Sequence, residues 1–133
     1  MSRMTAVVPA GVDAPAQARR FCSTVCREWG VDGLTDLCAL LVSELVTNAV
    51  VHGSGPVGLE LRLDGCVLRV SVAQEQVVGL PEPLMSGSAG VGDRGLAIVD
   101  RMAAGWGAET DDGGTTVWFD LVLSEPPGAG GSG

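Results

Sequence analysis

Apolar residues recur at helical spacing early in the chain. Ala18, Phe21, Cys22, Val25 and Trp29 fall three or four apart, with Arg19, Arg20, Arg27 and Glu28 elsewhere. This pattern predicts an amphipathic helix over 14–29, with Asp13 as N-cap, Pro15 in the first turn and Gly30 as the stop. A second helix is predicted over 33–52, ended by Gly53. It is apolar on most sides (Leu34, Leu37, Leu41, Leu45, Val46), the mark of a buried helix. Yet Glu44, Asn48 and His52 fall at i, i+4 and i+8 and form one polar stripe. A carboxylate on a buried helix is costly without partners, so packing alone does not account for that stripe.

Period-two alternation takes over after Gly53. Segments 57–63 and 67–73 read as two strands around an Asp64-Gly65 turn, and Leu68, Val70, Val72 and Gln74 share one parity. A short strand is expected over 5–9, with residues 1–4 frayed. Segment 76–93 reads as a loop of about 18 residues, long enough to suggest a lid or binding loop. A third helix over 95–104 and a closing hairpin, 106–110 with 115–123, complete the order β, α, α, β, β, loop, α, β, β. The fold class this implies is α/β (α+β): a two-layer sandwich whose mixed, mostly antiparallel sheet carries three helices on one face.

Composition narrows the function. The 133 residues suit one domain over 1–123 followed by a disordered tail, SEPPGAGGSG, over 124–133. Sixteen acidic residues against eight basic ones give a net charge of −8, which argues against nucleic-acid partners and polybasic membrane binding. No export signal is visible at the N-terminus and the longest apolar run, 37–42, is far short of a membrane span, so a cytoplasmic protein is expected. Cys22, Cys26, Cys38 and Cys66 then read as reduced, small buried hydrophobes. Zinc is disfavoured, because His52 is the sole histidine and no C-x-x-C pair exists.

Three motifs carry candidate chemistry: ELVTNAVVH from Glu44, GDRGLAIV from Gly92 and GTTVW from Gly114. Each alone has an ordinary reading. Glu and Asn four apart on a helix often bond only each other, glycines before a helix often make a plain connector, and Thr-Thr is common in strands. A helix N-terminus preceded by glycines is also a ready phosphate site.

In this order and spacing the motifs resemble the Bergerat-fold (GHKL) ATPases. The stretch LLVSELVTNAVVHG resembles that family's N-box, and DRGLAIVDRMAAGWG followed by GGTTVWFDL extends the likeness over about 5–123. The nearest subset is the bacterial anti-sigma-factor serine kinases and their free-standing relatives. The resemblance implies ATP and Mg²⁺ as cofactors, with Glu44 as the catalytic base and Asn48 as the Mg²⁺ ligand. Gly92, Arg94, Gly95 and Leu96 would form the phosphate loop and helix start, and Gln74 and Thr116 would hold adenine. It implies transfer of the ATP γ-phosphoryl group to a serine of an antagonist protein, sequestration of a sigma factor, and a homodimer. His52 matches a histidine frequent in the kinase subset, and its position suits the negative C-terminal end of its helix.

Two positions depart from the family pattern. Gln74 stands where the family has an adenine-reading Asp, and Asp93 replaces a usual glycine of the phosphate loop, with Arg94 beside it to offset the charge. A second reading therefore stands beside the first: a degenerate Bergerat-fold module that regulates by protein contact.

Overall fold

The structure, a computed structural model, describes residues 1–77, 94–111 and 114–124. Five strands and three helices follow in the order β1 (Ser2–Val8), α1 (Ala14–Glu28), α2 (Thr35–His52), β2 (Gly53–Asp64), β3 (Val67–Val77), α3 (Arg94–Met102), β4 (Gly105–Asp111) and β5 (Gly114–Val122), with a 3₁₀ turn at Asp32–Leu34. The strands form one sheet in the order β1-β2-β3-β5-β4, and every neighbouring pair runs antiparallel. The sheet is thus antiparallel throughout these residues, not mixed, and the two-layer α+β sandwich is as expected.

Local sequence explains most boundaries. Gly30 takes φ +71° after α1, Gly30 N–H donates to Arg27 O (3.2 Å) and Val31 N–H to Cys26 O (2.9 Å). That is a Schellman ending, and Val31 is buried beyond it. The other end of α1 differs from expectation. Pro15 lies in the first turn, but the Asp13 side chain makes no capping bond, because α1 is entered through a turn in which Ala14 N–H donates to Gly11 O (3.1 Å). The first hairpin turns at Gly65, φ +62°, followed by Cys66, the positive-then-negative φ pattern of a two-residue turn.

The strands run further than alternation suggested. β1 begins at Ser2 and pairs residue for residue with 57–63 of β2, so residues 2–4 are ordered by that ladder and not frayed. β2 and β3 reach Gly53 and Val77, which moves Gln76 and Val77 out of the expected loop and into a strand. The rest of that loop and the tail from 125 onward lie outside the described residues.

The pleat sorts the strands into two faces. Leu61, Val70 and Phe119 stand in one row across β2, β3 and β5 and are fully buried, with Leu63, Leu68 and Leu121 in the next. α2 lies on this face, against β2 and β3, and α1 packs on α2. The segment Asp32–Val51 has the length and hydropathy of a membrane span, with a mean hydropathy of 1.6. Burial of Cys38, Leu41, Val42, Leu45 and Val46 in the core accounts for that apolarity.

Cys22, Cys26 and Cys38 are fully buried free thiols within this core, as the small-hydrophobe reading expects. A hydrogen bond with Cys38, then burial, push the Cys26 thiol well above the usual range; a bond with Cys22, then burial, do the same to Cys38. On the opposite, open face Arg69 forms a bidentate pair with Asp120 (2.7 and 2.9 Å) and lies 3.9 Å over the Trp118 ring.

Candidate functional site

The polar stripe of α2 keeps Glu44 and Asn48 on one face of the helix, and the His52 side chain lies outside what the structure describes. Glu44 and Asn48 lie one turn apart and are each half-buried. The neighbouring hydroxyls are spent on the helix itself: Ser43 Oγ donates to Leu40 O (2.8 Å) and Thr47 Oγ1 to Ser43 O (2.7 Å). Asn48 Nδ2 is buried and has no hydrogen-bond partner.

The sheet supplies the second group. Two polar side chains are buried among the described residues, Gln74 (4% exposed) and Thr115 (7%). They face each other across β3 and β5, and Thr115 Oγ1 lies 3.3 Å from Thr110 Oγ1 of β4. On the other side of Gln74, β2 carries a bulge between Ser54 and Val57. Gly55 sits in it at φ +83°, a conformation costly to other residues, and its carbonyl accepts a 3.1 Å bond from Gln74 Nε2. This bond settles which end of the amide is which, since the flipped amide would set oxygen against oxygen. Gln74 Oε1 is left buried and unpartnered.

A buried, unsatisfied polar atom costs about 1–3 kcal/mol, and native proteins carry few of them. Here two of them, a donor on Asn48 and an acceptor on Gln74, fall at residues the sequence singles out, on elements that pack together. An orphaned acceptor beside a threonine hydroxyl suits the donor–acceptor edge of a purine. The oxygen chemistry of Glu44 and Asn48 suits Mg²⁺, a hard cation that takes few protein ligands and fills its sphere with phosphate and water. No group of three or more His, Cys, Asp or Glu among the described residues forms a self-sufficient metal site.

The register sets two adjacent threonines on opposite faces. Thr116 pairs with Ala73 and shares the open face, whereas Thr115 pairs with Gln74 on the helix-covered face. Thr115 is therefore the threonine that shares the face of Gln74. Its sequence signal was parity: Thr115 alternates in step with the core residues Phe119 and Leu121. Of the phosphate-loop candidates, Arg94, Gly95 and Leu96 form the first turn of α3, one residue earlier than expected, and Gly92 and Asp93 lie outside the described residues. α3 packs on α2 through buried Val99, and its later half is tied to β4 by Trp106 Nε1, which donates to Asp100 Oδ1 (2.8 Å).

A two-layer sandwich with a helical Glu–Asn stripe, a polar pair on the covered sheet face and a helix starting at a glycine-bearing motif defines a nucleotide-binding class of domain. The chain belongs to the family of histidine kinase-like ATPase domains, whose profile matches residues 8–121. Among solved structures it resembles the RsbU and RsbW domains of a Mycobacterium tuberculosis protein, with TM-score 0.68 and 23% identity over 95% of this chain and 34% of that one. It also resembles the histidine kinase domain of a blue-light activated histidine kinase from Erythrobacter litoralis, with TM-score 0.54 and 27% identity over 83% of this chain and 61% of that one. The chain thus spans about a third and about three fifths of those two chains. No curated protein matches it in sequence.

Proposed function

We propose that this chain is an ATP-binding regulatory protein of the anti-sigma-factor serine kinase kind, acting in the cytoplasm. The observation that carries the nucleotide reading is the Gln74 amide. Its nitrogen is held by Gly55 O, so its buried oxygen is set as an acceptor for the exocyclic amino group of adenine. Thr115 lies opposite it to complete the base contact. The amides at the start of α3, with Gly92, Arg94, Gly95 and Leu96, receive the phosphates at the positive end of the helix.

Glu44 is the base: its carboxylate takes the proton of the attacking serine hydroxyl as that oxygen bonds to the γ-phosphorus and ADP leaves. Asn48 would hold Mg²⁺ through its carbonyl oxygen, and the ion would supply neutralisation of the phosphate charge. The phosphate acceptor is a serine on an antagonist protein, a sigma factor is the sequestered partner, and the working unit is a homodimer. The likeness to a chain that carries RsbU and RsbW domains supports a protein partner.

A degenerate module that works by contact alone is the second reading. What favours it is the neutral amide at Gln74, a weaker acceptor than a carboxylate. Calorimetric titration with ATP and Mg²⁺ separates the two. Saturable binding, retained within about tenfold in Glu44→Ala while γ-phosphoryl transfer is lost, is the kinase result. Silence at millimolar ATP overturns it and leaves the contact module.

A further inference from the structure

A neutral amide is a two-way reader. By turning about its last bond, Gln74 presents either Oε1, an acceptor, or Nε2, a donor. One orientation suits a purine with an amino group at position 6, the other a purine with a carbonyl there. A carboxylate in the same place has no donor and no such choice. Gln74 is 4% exposed, so whichever atom faces a base does so away from water.

The neighbouring strand takes the choice away. Between Ser54 and Val57, β2 has two residues, Gly55 and Pro56, where β3 has one, Glu75. Pro56 has no N–H, so the peptide unit joining Gly55 to Pro56 carries a carbonyl and no donor. Gly55 O is that carbonyl, and it accepts the 3.1 Å bond from Gln74 Nε2. A turned amide would set Oε1 against a peptide unit that has nothing to donate. The φ of +83° at Gly55 aims the carbonyl. A β-carbon at Gly55 would meet no atom within 4 Å among the described residues, so a substitution there acts through the backbone and not through a clash.

We propose that the Gly55–Pro56 bulge is the specificity element of the nucleotide site: by holding Nε2 it makes Gln74 an acceptor only, and so selects 6-amino purine nucleotides over 6-oxo ones. Oε1 is buried and has no partner. A base carbonyl brought against it would leave two acceptors facing each other out of water, the kind of mismatch that buried polar sites reject most strongly. Gln74 by itself admits both classes of base. Selectivity in this chain therefore resides in a backbone carbonyl of the adjacent strand, and Gly55 and Pro56 are positioning residues that act through Gln74. The inference rests on the nucleotide half of the function proposed above and extends it to the class of base the site refuses.

The test is calorimetric titration of the full chain with Mg²⁺ and either ATP or inosine triphosphate, which has the 6-carbonyl without the 2-amino group of GTP. The wild type should bind ATP about tenfold or more tightly than inosine triphosphate. In Gly55→Ala the strained backbone releases the amide, which turns Nε2 toward a base carbonyl, and the ratio should fall about fivefold or more. Gly55→Asn, whose side chain tolerates positive φ, should keep the ratio within about twofold. Adding Gln74→Glu to Gly55→Ala should restore selectivity for ATP, because a carboxylate has no donor to turn. If Gly55→Ala does not fold, nitrogen-15 NMR of the free wild type takes its place: the Gln74 side-chain amide protons should exchange slowly, and rapid exchange overturns the proposal. Equal wild-type affinities for the two nucleotides overturn it too, as does a Gly55→Ala ratio that stays constant while both affinities fall, or an equal loss of selectivity in Gly55→Asn. Absence of any ATP binding by the wild type overturns the nucleotide reading and this proposal with it, whereas ATP binding without discrimination overturns this proposal alone.

Discussion

Gln74 and Thr115 stand directly opposite each other on β3 and β5, the two buried polar side chains among the described residues. The core residues beside them are aliphatic or aromatic: Val57 on β2, and Val70, Val72, Phe119 and Leu121 along their own strands. A sheet built for core packing alone would hold apolar residues there, because buried polar groups must find partners.

Gln74→Asp exchanges a neutral acceptor for a charged one. Hydrogen bonds to charged groups contribute roughly 1.5–3 kcal/mol, against about 0.5–1.5 for neutral pairs. ATP should bind about 5–30-fold more tightly by calorimetry, with a smaller gain for GTP, which has a carbonyl in place of the amino group. The bond to Gly55 O is lost at the same time, so the melting temperature of the free protein should fall. Equal gains for both nucleotides would show that the base is not read at Gln74.

The register separates two adjacent threonines. Thr115→Val removes a hydroxyl from the Gln74 face and should weaken ATP binding by about 0.5–1.5 kcal/mol, or roughly 2–12-fold. Thr116→Val acts on the open face and should change the affinity less than twofold, within the scatter of titration. A larger effect at Thr116 than at Thr115 would contradict the pairing of β3 with β5.

Gly107 of β4 makes room for an aromatic ring. A β-carbon there would lie 2.8 Å from Trp118 Cζ2 and 3.0 Å from its Cε2. Gly107→Ala must therefore displace the indole and with it the stacked Arg69 guanidinium. The expected cost is about 1–3 kcal/mol, the range of overpacked sites, read as a lower denaturation midpoint and altered tryptophan fluorescence.

The buried thiols set an alkaline limit on stability. Cys26 and Cys38 hold their protons in the folded state far above the usual thiol range, whereas the unfolded chain releases them near the ordinary value. Above about pH 8.5 the folded state then binds more protons than the unfolded one, and each thiol withdraws up to about 1.4 kcal/mol of stability per pH unit. Stability contributed by these groups is complete below that pH and declines above it. Chemical denaturation at pH 8, 9 and 10 checks the sign. Maleimide labelling should modify half-buried Cys66 first and reach Cys22, Cys26 and Cys38 only on unfolding.

Periodicity alone determined the helices, the two hairpins and their order, because amphipathic spacing and turn glycines such as Gly30 and Gly65 act within a few residues. The Glu44–Asn48 stripe was legible for the same reason: one helical turn sets it. Strand ends, register and partners were not local matters. Whether residues 2–4 fray depends on β2 being long enough to pair with them, and whether Thr115 or Thr116 meets Gln74 depends on a cross-strand register in which one residue exchanges the faces. The bulge that turns Gly55 O onto the Gln74 amide likewise exists only where β2 and β3 meet. Sequence chose the chemical groups, and the tertiary pairing of strands decided which of them share a face.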